Sequence, residues 1–185
     1  MRIRMAAIAL ALCCGCFTNP RYEAGLAVQA IFPDDEALSQ STQIDVLGRV
    51  VFDRAAIDLS YGQRTFDYSY TEGATTWAGE IEFRPLGLAV SYLSGAPEDK
   101  LRFGAGFGFI FLTGAEQRIG GVTGIDVSPV NKLVVDVRYA VAEKAMLSLG
   151  WHHEFNVQDI TLEKTGYDGV NLDAPTLRLA GTYRF

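Results

Sequence analysis

The sequence predicts an all-β fold: a closed, antiparallel, up-and-down transmembrane β-barrel. Three observations predict it. Apolar residues make up 49% of the 185 residues, yet no long apolar run follows residue 17, so apolar and polar residues must be interleaved. The interleaving has a two-residue period and recurs in segments about ten residues long separated by turn residues, the spacing of a membrane-crossing strand. The connections alternate between tight and long, which is the rhythm of a barrel with short turns at one end and long loops at the other.

The chain has room for one domain, read as a leader over residues 1–16 followed by a barrel over 17–185. Arg2 and Arg4 precede the apolar stretch Met5 to Cys14, then Gly15 and Cys16: a charged region, an apolar region and a small-residue cleavage zone. The apolar stretch is too short to span a bilayer. All three cysteines, Cys13, Cys14 and Cys16, fall in this leader, so the barrel has no internal disulfide and depends on its sheet. The run Leu12-Cys13-Cys14-Gly15-Cys16 resembles a bacterial lipobox, which makes Cys16 a candidate for lipidation. Cys13 stands where that motif usually has Leu, and ordinary cleavage, for example after Ala11, is the other reading. A formal charge of -6 excludes nucleic acid as a partner, because phosphate binding needs a basic face.

The last strand shows the alternation best. Leu177, Leu179, Gly181, Tyr183 and Phe185 share one face, and Thr176, Arg178, Ala180, Thr182 and Arg184 share the other. The same pattern sets Ile44, Val46 and Val50 against Asp45 and Arg49, and Ile57, Leu59 and Tyr61 against Asp58 and Arg64. It sets Trp77, Ile81 and Phe83 against Glu80 and Glu82. Farther on it sets Phe103, Phe107, Phe109 and Phe111 against Arg102 and three glycines, and Leu133, Val135, Val137 and Tyr139 against Asp136 and Arg138. Tyr22 to Phe32 and Gly87 to Ser94 follow it more weakly, and Met146 to Phe155 adds another strand.

Alternation alone fits a soluble sandwich as well as a membrane barrel. The membrane reading is favoured because the apolar faces are long and carry aromatics near strand ends (Phe32, Phe52, Phe83, Tyr92, Tyr139, Tyr183), as interfacial girdles do. The polar faces mix glycine with charges of both signs, as a narrow lumen requires. The turns at Asp53 to Ala55, Arg84 to Leu86 and Val141 to Lys144 are tight, and the loops at Pro33 to Thr42, Asp67 to Ala74 and Asn156 to Asp173 are long.

The ending Gly181-Thr182-Tyr183-Arg184-Phe185 resembles that of small bacterial outer-membrane barrels of the OmpA/OmpX kind, whose final strand ends in an aromatic residue with another two positions before it. The resemblance implies an outer-membrane location, lipid and lipopolysaccharide as surroundings, and Tyr183 and Phe185 as the signal read by the barrel-insertion machinery. It also implies a monomer. Ala180 stands where that signal often has Gly. With both termini at one end the strand count is even, and ten strands are expected, eight being the alternative. The ten include Thr75 to Phe83 and Gly87 to Ser94 as separate strands and a weak strand near Arg118 to Val127.

No catalytic, cofactor or metal motif emerges. Gly104-Ala105-Gly106-Phe107-Gly108 lacks the Lys and Ser/Thr of a phosphate loop and reads as lumen space for large neighbours. His152 and His153 are adjacent on a strand and point to opposite faces, so they cannot share a metal. His152, Glu154 and Ser148 share a face, but residues four apart on a strand lie roughly 13 Å apart, too far for a nucleophile and its base. Barrel enzymes that deacylate lipid A carry a His-x-Ser pair, which is missing here. The polar faces instead collect Asp45, Asp58, Glu80, Glu82, Asp136 and Glu154 with Arg49, Arg64, Arg102, Arg138, Arg178 and Arg184. Inside a narrow barrel such charges must pair, which predicts a salt-bridged, closed lumen. The outer loops hold acidic residues, among them Asp34, Asp35, Glu36, Asp159, Glu163, Asp168 and Asp173, read as solvated charge. The sequence therefore favours a non-enzymatic barrel serving surface interaction or envelope integrity. A lipid-active enzyme, a narrow channel and a soluble periplasmic lipoprotein are the alternatives.

Overall fold

The computed structural model describes residues 19–118, 122–124, 130–155, 160–162 and 167–185. The leader over 1–16, with Cys16, lies outside the described residues. Eleven strands follow in chain order: β1 (Arg21–Ile31), β2 (Ser41–Val51), β3 (Ala55–Glu72), β4 (Thr75–Leu93), β5 (Leu101–Arg118), β6 (Val122–Gly124), β7 (Val130–Ala140), β8 (Ala145–Phe155), β9 (Ile160–Leu162), β10 (Tyr167–Val170) and β11 (Ala174–Arg184). Eight of them form the barrel wall in the ring order β1, β2, β3, β4, β5, β7, β8, β11, and β11 closes back onto β1. Every pairing is antiparallel, with Glu23 opposite Arg184 at one end of the closing seam and Ile31 opposite Thr176 at the other. The short β6 extends the β5 edge, and β9 pairs with β10 in a separate ribbon.

Around the lower wall the expected polarity holds, inverted relative to a soluble protein. Leu26, Val46, Leu59, Leu88, Phe103, Val135, Leu149 and Leu179 point outward and are exposed, while Asp45, Arg49, Asp58, Asp136 and Arg178 point inward and are buried. An apolar surface of this extent, wrapped continuously around a ring, is stable only against lipid. Tyr22, Tyr92, Tyr139 and Tyr183 mark its lower rim, where an aromatic ring can sit with its hydroxyl in the headgroup layer. The turns at this end are short: Phe52 N–H donates to Ala55 O across residues 53–54, and Val141 N–H donates to Ala145 O across 142–144. Short turns mark the periplasmic end of such a barrel.

The expected ten strands are corrected to eight. Thr75 to Phe83 and Gly87 to Ser94 are one strand, β4, and Arg84 to Leu86 is not a turn. Two features of the sequence imitated a break. Pro85 cannot donate to a ladder, but it is accommodated where the β4/β5 register already slips: Glu82 faces Glu116 and Arg84 faces Thr113, so β5 carries one extra residue beside it. The apolar parity also switches from odd (Ile81, Phe83) to even (Leu86, Leu88) without any change of backbone face. Leu86 and Leu88 face lipid, whereas Ile81 and Phe83 are buried in the interior of the part of the barrel that rises above the lipid. Where the medium outside changes from hydrocarbon to water, the apolar residues change sides. The described part of the weak strand near Arg118 to Val127 is β6, which extends the β5 edge and does not cross the barrel.

The expected loop over Asp67 to Ala74 is likewise replaced by strand. β3 and β4 run on to Glu72 and Thr75 and meet in a two-residue turn, Gly73-Ala74. Gly73 has φ 61 at the first central position, the conformation that a II′-type hairpin turn reserves for glycine. Phe83 is corrected too. It packs edge-on against Phe66 inside the barrel, ring centroids 6.2 Å apart, and belongs to no interfacial girdle.

The inversion of polarity gives a direct test. Leu26→Arg, on the lipid face midway along β1, should lower stability in lipid vesicles by about 2–4 kcal/mol. Ser69→Lys, on the outer face of the raised β3, should change it by less than about 0.5 kcal/mol. Urea unfolding monitored by tryptophan fluorescence and by heat-modifiable gel mobility reads both.

Candidate functional site

The inward side chains occupy the barrel above an open lower mouth. At the periplasmic mouth a vestibule of about 480 Å³ opens among Arg21, Glu23, Arg102, Arg138 and Arg184. Glu23 accepts from Arg184 Nη2 at 2.9 Å and from Thr182 Oγ1 at 3.0 Å, and lies 3.9 Å from Arg49 Nη1. Arg102 donates to the carbonyls of Ser94 and Asp53, tying the lower turns to the wall. Arg184 and Arg102 thus stand at the mouth.

Above the vestibule the network tightens. Arg49 grips Asp58 in a two-point bond, Nε to Oδ1 at 2.7 Å and Nη2 to Oδ2 at 2.8 Å. Arg178 Nη1 lies 3.7 Å from Asp58 Oδ2. Arg138 Nε donates to Asp136 at 2.7 Å and its Nη2 to Ser91 Oγ at 3.1 Å. Asp45 accepts from the side-chain amides of Gln29 and Gln43. Arg64 donates to Gln43 Oε1 at 2.8 Å and holds both oxygens of Glu154, at 2.7 and 3.1 Å.

Two of these contacts are transverse. In the ring order β3 and β8 are four strands apart, so Arg64 and Glu154 join diametrically opposite walls; Arg178 and Asp58 join walls three strands apart. Eight strands enclose an interior about as wide as its own side chains, and these pairs cross it as struts. Glycine makes the space. A Cβ at Gly104 would overlap the Asp136 carboxylate, and one at Gly62 would overlap that of Asp45. The glycines at 104 and 62 are the places where a neighbouring acid turns into the lumen.

Above the charges the interior becomes apolar. Ile31, Phe66, Tyr68, Ile81, Phe83, Ile110, Leu112, Val130 and Ala174 form one buried cluster, completed by Leu38 and Leu172 from the flanking loops. The loop over 32–40 is fastened across this plug. Ser39 N–H donates to Asp67 O, Ser69 N–H to Ala37 O, and Asn171 N–H to Asp35 Oδ2.

Of the charges expected in the lumen, Asp45, Arg49, Asp58, Arg64, Arg102, Asp136, Arg138, Glu154 and Arg178 point inward and are buried, and Arg184 lines the mouth. Glu80 and Glu82 differ. They sit on the raised part of β4 with the parity opposite to buried Ile81 and Phe83, so Glu80 is exposed and Glu82 is only partly covered on the outer side. The physical reason is the exchange of media described above. Sequence reasoning missed Glu23, Gln29, Gln43 and Lys132, although Lys132 shares its parity with Asp136 and Arg138, and Gln43 with Asp45 and Arg49. It also missed the apolar plug. His152 and Ser148 are buried in the lumen, Glu154 is bound by Arg64, and His153 points outward between Trp151 and Phe155, at ring distances of 5.8 and 6.2 Å. Tyr183 and Phe185 stand on the outer surface with their rings edge to face, 5.6 Å apart.

No protein-family model and no curated protein sequence matches the chain. Solved structures do. The outer membrane protein OprG from Pseudomonas aeruginosa superposes with a TM-score of 0.62 at 12% identity, covering 92% of this chain and 98% of that one. Neisserial surface protein A gives 0.59 at 11% identity over 89% and 95%, and the Escherichia coli outer membrane protein W gives 0.56 at 13% over 89% and 97%. At these identities the likeness is one of fold. Joined to the lipid-facing belt and the tyrosine rim, it gives the chain the fold of the small, eight-stranded β-barrels of the bacterial outer membrane.

Proposed function

We propose that this barrel is a closed, non-enzymatic element of the outer membrane that serves surface interaction or envelope integrity through its raised outer end. The observation that carries the reading is a double stopper in the lumen: salt-bridged struts within the bilayer, and an apolar plug strapped by the loop over 32–40 above it. A solute entering the vestibule meets Arg138 and the Arg49 and Asp58 pair before it reaches the outer half. The residues weighed for lipid chemistry support an internal role instead, because His152 and Glu154 face the lumen, away from the acyl chains. Lipid and lipopolysaccharide are the surroundings of the belt, and Tyr183 and Phe185 serve the insertion machinery from the exposed side of the last strand.

Three outcomes follow. In planar bilayers the refolded barrel should show no large, steady conductance, and a stable open level of nanosiemens size would refute closure. Arg64→Met should cost about 3–5 kcal/mol by stranding Glu154, while the double variant Arg64→Met with Glu154→Met should recover most of it, because both desolvated charges are then gone. Urea unfolding of the single and double variants in lipid vesicles measures the recovery. Phe185→Ser should reduce the heat-modifiable, inserted fraction in cells while leaving refolding into detergent intact; equal loss in both would mean that Phe185 acts only through stability.

A further inference from the structure

The lumen charges do not balance in the middle of the barrel. Among the described residues four carboxylates are buried above the mouth, Asp45, Asp58, Asp136 and Glu154, against five cations, Arg49, Arg64, Lys132, Arg138 and Arg178. Glu23, Asp58, Asp136 and Glu154 are each engaged by an arginine, and Asp45 is engaged by the amides of Gln29 and Gln43. Arg102 is satisfied by two backbone carbonyls near the mouth. Gln29 Oε1, Asp136 Oδ1, Arg138 Nη1 and Thr176 Oγ1 also have no partner among the described residues, but Arg178 Nε and Nη2 and His152 Nδ1 gather at one place.

That place is a small cavity of about 10 Å³ whose polar lining is Asp58, Ser60, Ser91, Lys132, His152 and Arg178 and whose apolar lining is Leu88, Ala89 and Val134, beside Gly87. Arg178 is only 7% exposed, yet its Nε and Nη2 have no hydrogen-bond partner; its Nη1 reaches no nearer than 3.7 Å to an Asp58 already held at two points by Arg49. His152, 1% exposed, has no partner for Nδ1. Lys132, 5% exposed, lines the same cavity and faces Glu154 across the β7/β8 register, but Arg64 already holds both oxygens of that carboxylate. The ammonium brings three donors and the guanidinium at least two more, and leaving such groups desolvated and unpaired is among the costliest arrangements in a protein.

We propose that this cavity is a binding site for one monovalent, monatomic anion of the halide class. Its volume of about 10 Å³ is at the lower limit for a single water, so a halide enters only as the flexible ends of Lys132 and Arg178 give way around it. Lys132 and Arg178 can only donate, and the one carboxylate in the lining, Asp58, is already held at both oxygens by Arg49, so an anion takes up the free donors whereas a water brings two donors of its own. One negative charge also cancels the single excess cation. The anion would bridge Lys132 on β7 and Arg178 on β11, with Ser60 and Ser91 hydroxyls from the β3 and β4 side. It would thus complete the crosslinking of the walls where the direct struts leave a gap.

Bromide is the probe. Crystals of the refolded barrel grown in sodium bromide should give an anomalous peak inside this cavity. Titrating bromide at constant ionic strength, with gluconate as the balancing anion, should raise the melting temperature along a saturating curve. Lys132→Met, which removes the excess charge, should still fold by heat-modifiable mobility and should lose both the peak and the halide dependence, while Lys132→Arg should keep both. If Lys132→Met does not fold, Arg178→Gln serves in its place. Density without anomalous signal at the site, meaning water beside an uncharged Lys132, overturns the proposal. So does a halide dependence that persists in the variant.

Discussion

A backbone that crosses hydrocarbon has no water to bond with, so every N–H and C=O in the crossing segments must find its partner within the protein. The seam between β1 and β11 meets that requirement, running without interruption from Glu23 opposite Arg184 to Ile31 opposite Thr176. Once β11 pairs with β8 on one side and β1 on the other, the sheet has no edge. The rest of the molecule is shaped by this closure. A ring of eight strands has a fixed, narrow interior, and whatever points inward must fit in it and satisfy itself there.

That constraint explains why the lumen is full of charge and yet closed. Burying an arginine or a carboxylate alone costs several kcal/mol, and a pair repays this only when the geometry is good and the remaining valences are met. The two-point contacts of Arg49 with Asp58 and of Arg64 with Glu154 supply the geometry. The added bond from Arg64 Nε to Gln43 meets a remaining valence. Pairs that span the ring also resist its flattening, which the hydrogen-bonded wall by itself does not. The price is specificity of size: Gly62 and Gly104 must stay small for Asp45 and Asp136 to turn inward at all.

How much of this was legible in the sequence depends on what surrounds each segment. Within the bilayer the outside is always apolar and the lumen always polar, so parity alone assigned Asp45, Arg49, Asp58, Asp136, Arg138 and Arg178 to the interior. Above the bilayer the same parity carries the opposite meaning. Glu80 and Glu82 were read as lumen residues and Phe83 as a girdle residue because the alternation from Trp77 to Phe83 is as regular as that from Ile44 to Val50. Nothing in a two-residue period says on which side of the headgroups a segment lies. The clue was the switch of apolar parity across Pro85, which can mean either a turn or a strand leaving one medium for another. Register could have decided between them: joining the halves of β4 lets β3 pair in one constant register from Ala55 to Glu72, skipping only Gly62 and Gln63 beside Pro85. Partners across the ring, such as Arg64 with Glu154 ninety residues away, follow from the strand count and the shear of the barrel, and a single sequence specifies neither.

The exchange of media also accounts for the division between a charged lower lumen and an apolar upper one. Inside the bilayer the wall is held by lipid from without, so its interior is free to be polar. Above the bilayer the extensions of β3, β4 and β5 have water on their outer face, and a hairpin in water needs an apolar face buried against something. The interior of the barrel is the surface within reach. Ile81, Phe83, Phe66 and Tyr68 turn into it, and Leu38 and Leu172 are brought down from the loops to complete the cluster. The plug is therefore the hydrophobic core of the raised end. A barrel that kept such long outer strands and also an open channel would have to support them by some other contact, such as a partner or a bound apolar ligand. Here Ser39, Ser69 and Asn171 fasten the loops over the core from within the same chain. The raised hairpin is thus braced by contacts from within its own chain.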